Sequence, residues 1–114
     1  MGKNYPQIRK EFQKNSGELA KKIPEVMEGF QKIHKTNKKD TALSYKAKEL
    51  ISLGIAISLR CDGCIAAHTH DCIEAGASDD EIYETIGVAI LMGGGPSVVY
   101  GAEALDALAQ FNEN

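Results

Sequence analysis

The sequence predicts an all-α fold, a helical bundle of about six helices that assembles into a homo-oligomer. Apolar residues recur at helical intervals, and no stretch shows the period-two alternation of a half-buried strand. The gaps between the helical segments are short, as in bundles. At 114 residues the chain suffices for one domain with an ordinary core. We expect a single domain over 1–114, with its core over about 40–110 and an N-terminal helical extension over 1–40.

Two amphipathic helices are predicted within residues 1–40. Their apolar positions are Ile8, Phe12, Leu19, Ile23, Val26, Phe30 and Ile33. Pro24 suits the first turn of the second helix, where a missing N–H does no harm. The polar run over 35–40 interrupts the periodicity and predicts a loop.

The third predicted helix is apolar around nearly its whole circumference. Only Ser52 and Ser58 are polar within residues 50–59, which is typical of a helix buried on several sides. Glu49 stands at the entrance of this run. A carboxylate there either reaches solvent or needs a polar partner.

Two further helices have clear boundary signals. One is expected from about Asp62, a good N-cap residue, to Gly76, which suits a C-terminal cap. Ser78 and Glu81 then form a capping-box pattern, which predicts the start of the next helix.

Glycines at 93–95 followed by Pro96 predict the end of that helix and the start of the last one, which runs through Phe111. The second half of the chain is rich in small residues that let helices approach closely. Together with the apolar segment over 50–59, this indicates more buried surface than one subunit can supply to itself. We therefore expect a homo-oligomer.

Composition excludes several classes of partner. With 13 basic and 16 acidic residues the formal charge is −3, which gives no electrostatic case for nucleic acid or an anionic membrane surface. The N-terminus has no apolar signal region, and no apolar run approaches the ~18 residues of a membrane span. We expect a cytoplasmic protein whose partners are small molecules or proteins.

The most informative stretch is residues 60–68, in which two cysteines stand three apart and a histidine follows four residues later. If it opens a helix, Cys61, Cys64 and His68 share one face. A thiolate near the positive end of a helix has a lowered pKa, and an imidazole one turn on can carry its proton. The pattern predicts a redox site or a metal site.

In the redox interpretation a thiolate attacks the distal oxygen of a peroxide and becomes a sulfenic acid, which the second thiol converts to a disulfide. His68, one turn from Cys64, favours Cys64 as the attacking residue. The closer position of Cys61 to the positive helix end favours Cys61 instead. We therefore expect Cys64 to be the attacking residue, on the position of His68.

In the metal interpretation Cys72 would join the other two cysteines and His68 as a Cys₃His set. Residues 61 and 72 lie ~16 Å apart along a helix, too far for two ligands of one zinc ion. We therefore expect no metal at this motif and a buried, apolar role for Cys72.

Four residues and a downstream run carry a resemblance to a known family. Glu49 lies twelve residues before Cys61, the Cys-x-x-Cys-x-x-x-His motif ends at His68, and the run over 75–82 follows. This pattern resembles the AhpD-like alkylhydroperoxidases of the carboxymuconolactone decarboxylase superfamily over about residues 40–110. The resemblance implies an all-α trimer or hexamer in which Cys64 attacks peroxide and Cys61 resolves it.

The resemblance further implies that Glu49 and His68 form a proton relay, and that the redox-active Cys61–Cys64 disulfide serves without another cofactor. The substrate would be a small peroxide, and a dithiol or protein would supply electrons. If both helices ran straight, Glu49 would lie ~18 Å from the connecting turn and His68 ~10 Å, an offset of more than a helical turn. Glu49 is therefore assigned on the resemblance.

The chain departs from the peroxidase branch at Gly63, where that branch often carries a histidine, so one candidate for the relay is missing. The decarboxylase branch lacks paired cysteines, so lactone decarboxylation is not inferred. The sequence predicts a thiol-dependent peroxidase or thiol-disulfide oxidoreductase. The alternative is a non-catalytic oligomeric redox sensor or protein-interaction module.

Overall fold

The computed structural model describes residues 2–113 and contains six α-helices joined by short turns. They are α1 (Tyr5–Lys22), α2 (Pro24–Asn37), α3 (Tyr45–Ser58), α4 (Asp62–Glu74), α5 (Asp79–Gly93) and α6 (Gly95–Asn112). The predicted all-α fold is thereby confirmed. No helix of the described residues has both the length and the apolar character needed to cross a bilayer.

The core lies among α3, α4, α5 and α6, and α1 packs against α4 and α6. The larger side chains that are buried in this core come from α1 and from α3 to α6: Tyr5, Leu53, Ile57, Ile65, Cys72, Ile82 and Leu108. Helix α4 contacts α1, α3 and α6. The predicted motif therefore sits on a helix that packs against three others.

The start of the chain is fixed to this core by polar contacts. The Tyr5 side chain is fully buried, and its hydroxyl donates to Oε2 of the buried Glu103 at 2.7 Å. Lys3 Nζ lies 3.0 Å from Oδ1 of Asp62, the first residue of α4. The N-terminal segment thus reaches both α6 and the beginning of α4.

Helix α2 begins with Pro24 at its N-terminal end, as predicted. It continues to Asn37, so the expected loop over 35–40 starts later, at residue 38. The Thr36 hydroxyl donates to the Lys32 carbonyl at 2.8 Å and helps to close the last turn. None of the residues of α2 is buried.

Helix α3 is buried on one side only. Leu53 and Ile57 have no exposed surface, whereas Ile51 is 49% and Leu59 is 69% exposed. The prediction that residues 50–59 are buried on several sides is therefore wrong for the single chain, because α4, α5 and α6 cover only part of the helix. The exposed side faces an open apolar groove lined by Leu50, Ile51, Gly54, Ile55, Ser58, Leu59, Thr85, Val88, Ala89 and Met92.

The helix boundaries follow the predicted signals closely. Ser78 and Glu81 form a complete capping box at the start of α5. Gly76 follows α4 with φ +88°, a conformation that glycine adopts without steric cost. Gly94, with φ +67°, is the single residue between α5 and α6.

Candidate functional site

A tight turn between α3 and α4 places the first cysteine at a helix N-terminus. The Arg60 N–H donates to the Ile57 carbonyl at 3.1 Å, and the Cys61 N–H donates to the Ala56 carbonyl at 3.2 Å. This is the Schellman pattern of a helix end, and Arg60 takes its left-handed position with φ 56°. The backbone of Cys61 is extended, and α4 begins at the next residue, Asp62.

The N-cap of α4 is Cys61 and not Asp62, so the predicted cap is wrong by one residue. Sγ of Cys61 accepts the N–H of Cys64 at 3.2 Å. An N-cap residue needs a non-helical backbone, and Asp62 already belongs to the helix. A sulfur atom therefore occupies the position where the unpaired N–H groups and the positive end of the helix dipole act.

The two predicted redox cysteines form a disulfide bond. Both residues are partly buried, and Cys64 packs against the hydrophobic core. The two Cα atoms lie 5.2 Å apart, within the range of ordinary disulfides. The backbone of the first turn of α4 thus holds the sulfurs at bonding distance.

The structure also brings together the two predicted relay residues. Oε1 of Glu49 lies 2.7 Å from Nδ1 of His68, and Glu49 is only 5% exposed. The offset expected from straight helices is wrong because α3 ends at Ser58 and does not continue to Cys61. The helical rise is about 13.5 Å from Glu49 to the end of α3 and about 9 Å from the start of α4 to His68. These two rises differ by less than one helical turn, so the Glu49 and His68 side chains reach each other directly.

Cys64 and His68 lie one turn apart on the same face of α4. Glu49 holds Nδ1 of the imidazole, which leaves Nε2 as the ring nitrogen for a second partner. The chemistry available is proton transfer by an oriented imidazole one helical turn beyond a cysteine pair.

Two residues beside Glu49 were not singled out by the sequence. Burial, followed by the negative charges of Glu49 and Asp71, raises the pKa of Tyr45 to about 12. Asp71 places a carboxylate oxygen within 4.8 Å of the ligand atoms of Glu49 and His68. Helical spacing is the sequence signal that points to both residues, because Tyr45 stands four residues before Glu49 and Asp71 three after His68.

Cys72 is fully buried in the core, as expected. Burial raises the pKa of its thiol to about 12, and the charges of Glu49 and Asp71 act in the same direction. The Cys72 side chain therefore stays protonated at neutral pH and is a poor nucleophile.

Sequence and structure comparisons agree on the relatives of this chain. The model of the carboxymuconolactone decarboxylase family matches residues 24–107. A carboxymuconolactone decarboxylase family protein from Legionella pneumophila, crystallised in its apo form, has 39% identity and a TM-score of 0.90. The match covers 94% of this chain and 96% of that protein.

A protein from Thermotoga maritima has 30% identity and a TM-score of 0.79, over 91% of this chain and 95% of its own. A second crystal structure of it is described as that of a carboxymuconolactone decarboxylase family protein with a suggested role in antioxidative response. An uncharacterised protein from Cupriavidus necator is 33% identical over 95 residues, which is 83% of this chain and 84% of the relative.

Proposed function

This chain belongs to the carboxymuconolactone decarboxylase family, and we propose that it is a thiol-dependent peroxidase whose Cys61–Cys64 pair reduces hydroperoxides with electrons from a dithiol. The observation that carries the proposal is the arrangement on α4. A disulfide stands at the helix N-terminus, and an imidazole held by a buried carboxylate lies one turn further on.

The first step is attack by the Cys64 thiolate on the distal oxygen of a hydroperoxide, ROOH. The S–O bond forms as the O–O bond breaks, which leaves a sulfenic acid on Cys64 and an alkoxide, RO⁻. His68 takes the thiol proton before attack and returns it to the alkoxide, so that ROH leaves. Glu49 fixes the imidazole by its hydrogen bond and stabilises the imidazolium while it carries the proton.

The second step is attack by the Cys61 thiol on the Cys64 sulfenic acid, which releases water and forms the disulfide. The first turn of α4 supports this step because it holds the two sulfurs within bonding distance. An external dithiol, either a small molecule or a protein, then reduces the disulfide and is itself oxidised. No other cofactor takes part in the cycle.

We further propose that the protein acts as a homo-oligomer, a trimer or a hexamer. The support is apolar surface that the single chain leaves exposed on α2 and along the α3–α5 groove. Val26 is 65%, Phe30 53%, Ile33 64% and Met92 81% exposed. A second copy that covered these faces would remove them from water.

The test is consumption of an organic hydroperoxide in the presence of excess dithiothreitol. The reduced protein should consume many equivalents per chain, and Cys64→Ser should abolish this. Cys72→Ala is the matched control, because that thiol is buried and protonated, and it should retain turnover. Consumption of a single equivalent per chain would refute the enzymatic proposal and favour a redox sensor.

A further inference from the structure

Asp71 adds a second carboxylate to the Glu49–His68 pair. The carboxylate oxygens and an imidazole nitrogen of these three residues all lie within 4.8 Å of one another. Two carboxylates thus lie close to one imidazole. Among the described residues, no lysine or arginine forms an ion pair with either carboxylate.

Glu49 is the buried carboxylate of the cluster, whereas the Asp71 side chain is 26% exposed. Buried carboxylates in proteins are paired with hydrogen-bond donors or cations, and a metal ion is one of the cations that proteins use. One imidazole nitrogen and two carboxylate oxygens are ligands that Zn²⁺ accepts at about 2.0–2.2 Å. Ligands of one tetrahedral ion then lie about 3.3 Å apart. The cluster needs only small side-chain movements to reach that spacing, since Glu49 and His68 are already 2.7 Å apart.

The surroundings resemble the outer shell of a metal site. His70 Nδ1 lies 3.0 Å from Oδ1 of Asp71, and the Tyr45 hydroxyl interacts with Glu49. Partners of this kind orient ligating carboxylates. His68 and Asp71 stand at i and i+3 on α4, so both side chains lie on one face of the helix.

The cluster borders a cavity at Asp71, whereas Glu49 and His68 do not line that cavity. Asp71 lines a cavity of about 240 Å³ between the α1–α2 hairpin and α4, whose wall includes Phe12, Phe30 and Ala67. This space offers an entry path and room for a water molecule as the fourth ligand. We propose that Glu49, His68 and Asp71 bind a divalent transition-metal cation of the Zn²⁺ class.

This site does not need the cysteine pair, so metal binding can be measured without the two thiols. It does use the two proposed relay residues, so a bound ion would replace the Glu49–His68 hydrogen bond and block the proton relay. The parent for the test is an untagged Cys61→Ser/Cys64→Ser protein, which lacks the two thiols that would themselves bind zinc. Titration with ZnCl₂ by calorimetry should give one equivalent bound per chain. Bound Co²⁺ should give the visible absorption of a low-symmetry site, and His68→Gln should abolish it.

The discriminating variant is Asp71→Asn, which leaves the Glu49–His68 contact in place. It should weaken zinc binding by at least tenfold, whereas the matched surface variant Asp80→Asn should bind as the parent does. Thermal unfolding of each variant verifies that it is folded. Absence of zinc binding by the parent, or equal affinity of the parent and Asp71→Asn, would overturn the proposal.

Discussion

Replacing Glu49 with glutamine removes the relay charge while preserving the size of the side chain. The lost interaction is a 2.7 Å contact between a carboxylate that is 5% exposed and the His68 imidazole. A hydrogen bond to a charged group contributes about 1.5–3 kcal/mol. If that stabilisation is needed when the imidazole carries the proton, kcat/KM should fall by about 10-fold to 150-fold.

The assay is steady-state reduction of an organic hydroperoxide at saturating dithiol. Glu74→Gln is the matched control, because Glu74 lies on α4 with a side chain that is 68% exposed, and it should leave kcat/KM unchanged. Circular dichroism verifies that both variants are folded. A Glu49→Gln enzyme with activity within twofold of the parent would refute the role of Glu49 in the relay.

Four further predictions concern stability, relay chemistry, thiol reactivity and the pH dependence of stability. Tyr5→Phe should lower the free energy of unfolding by about 2 kcal/mol and Tm by roughly 8 °C, because it leaves the buried Glu103 carboxylate without its hydroxyl donor; an unchanged Tm would contradict this. A Cβ at Gly63 meets no atom within 4 Å, so Gly63→His should fit and raise kcat/KM by roughly tenfold, whereas Gly63→Ala should not. Cys72 should resist alkylation at pH 8 until the protein unfolds, because its thiol pKa is raised to about 12. Rapid labelling of Cys72 in the folded protein would contradict a buried, protonated thiol. The same shift should make stability fall as pH rises from 9 toward 12, where the unfolded chain releases the proton and the folded chain keeps it, and Cys72→Ala should reduce that fall.

Local signals predicted the helices well because each depends on a few adjacent residues. The capping box at Ser78 and the glycines at 76 and 94 set boundaries through backbone geometry and short hydrogen bonds. The cap of α4 was misassigned because cysteine is an unusual N-cap residue. Only the extended backbone of Cys61 shows that its sulfur takes this position.

Contacts between distant residues were harder to predict from the sequence. The Glu49–His68 contact depends on where α3 ends, and a straight-helix estimate that extends α3 to Cys61 separates the two side chains. The Tyr5–Glu103 hydrogen bond joins residues 98 positions apart, and no local pattern indicates such a pair. The exposed face of α3 was missed because an apolar helix looks the same in sequence whether its own chain or a second copy covers it.

The chemistry at Cys64 can be observed directly in a Cys61→Ser protein, in which the sulfenic acid has no thiol beside it to form the disulfide. After one equivalent of hydroperoxide, dimedone trapping and peptide mass spectrometry should place the adduct on Cys64. The complementary Cys64→Ser protein should give little adduct on Cys61. An adduct on Cys61 of the Cys64→Ser protein, with none on Cys64 of the Cys61→Ser protein, would contradict the assignment of the attacking sulfur. No adduct in either protein would contradict peroxide reduction by this pair.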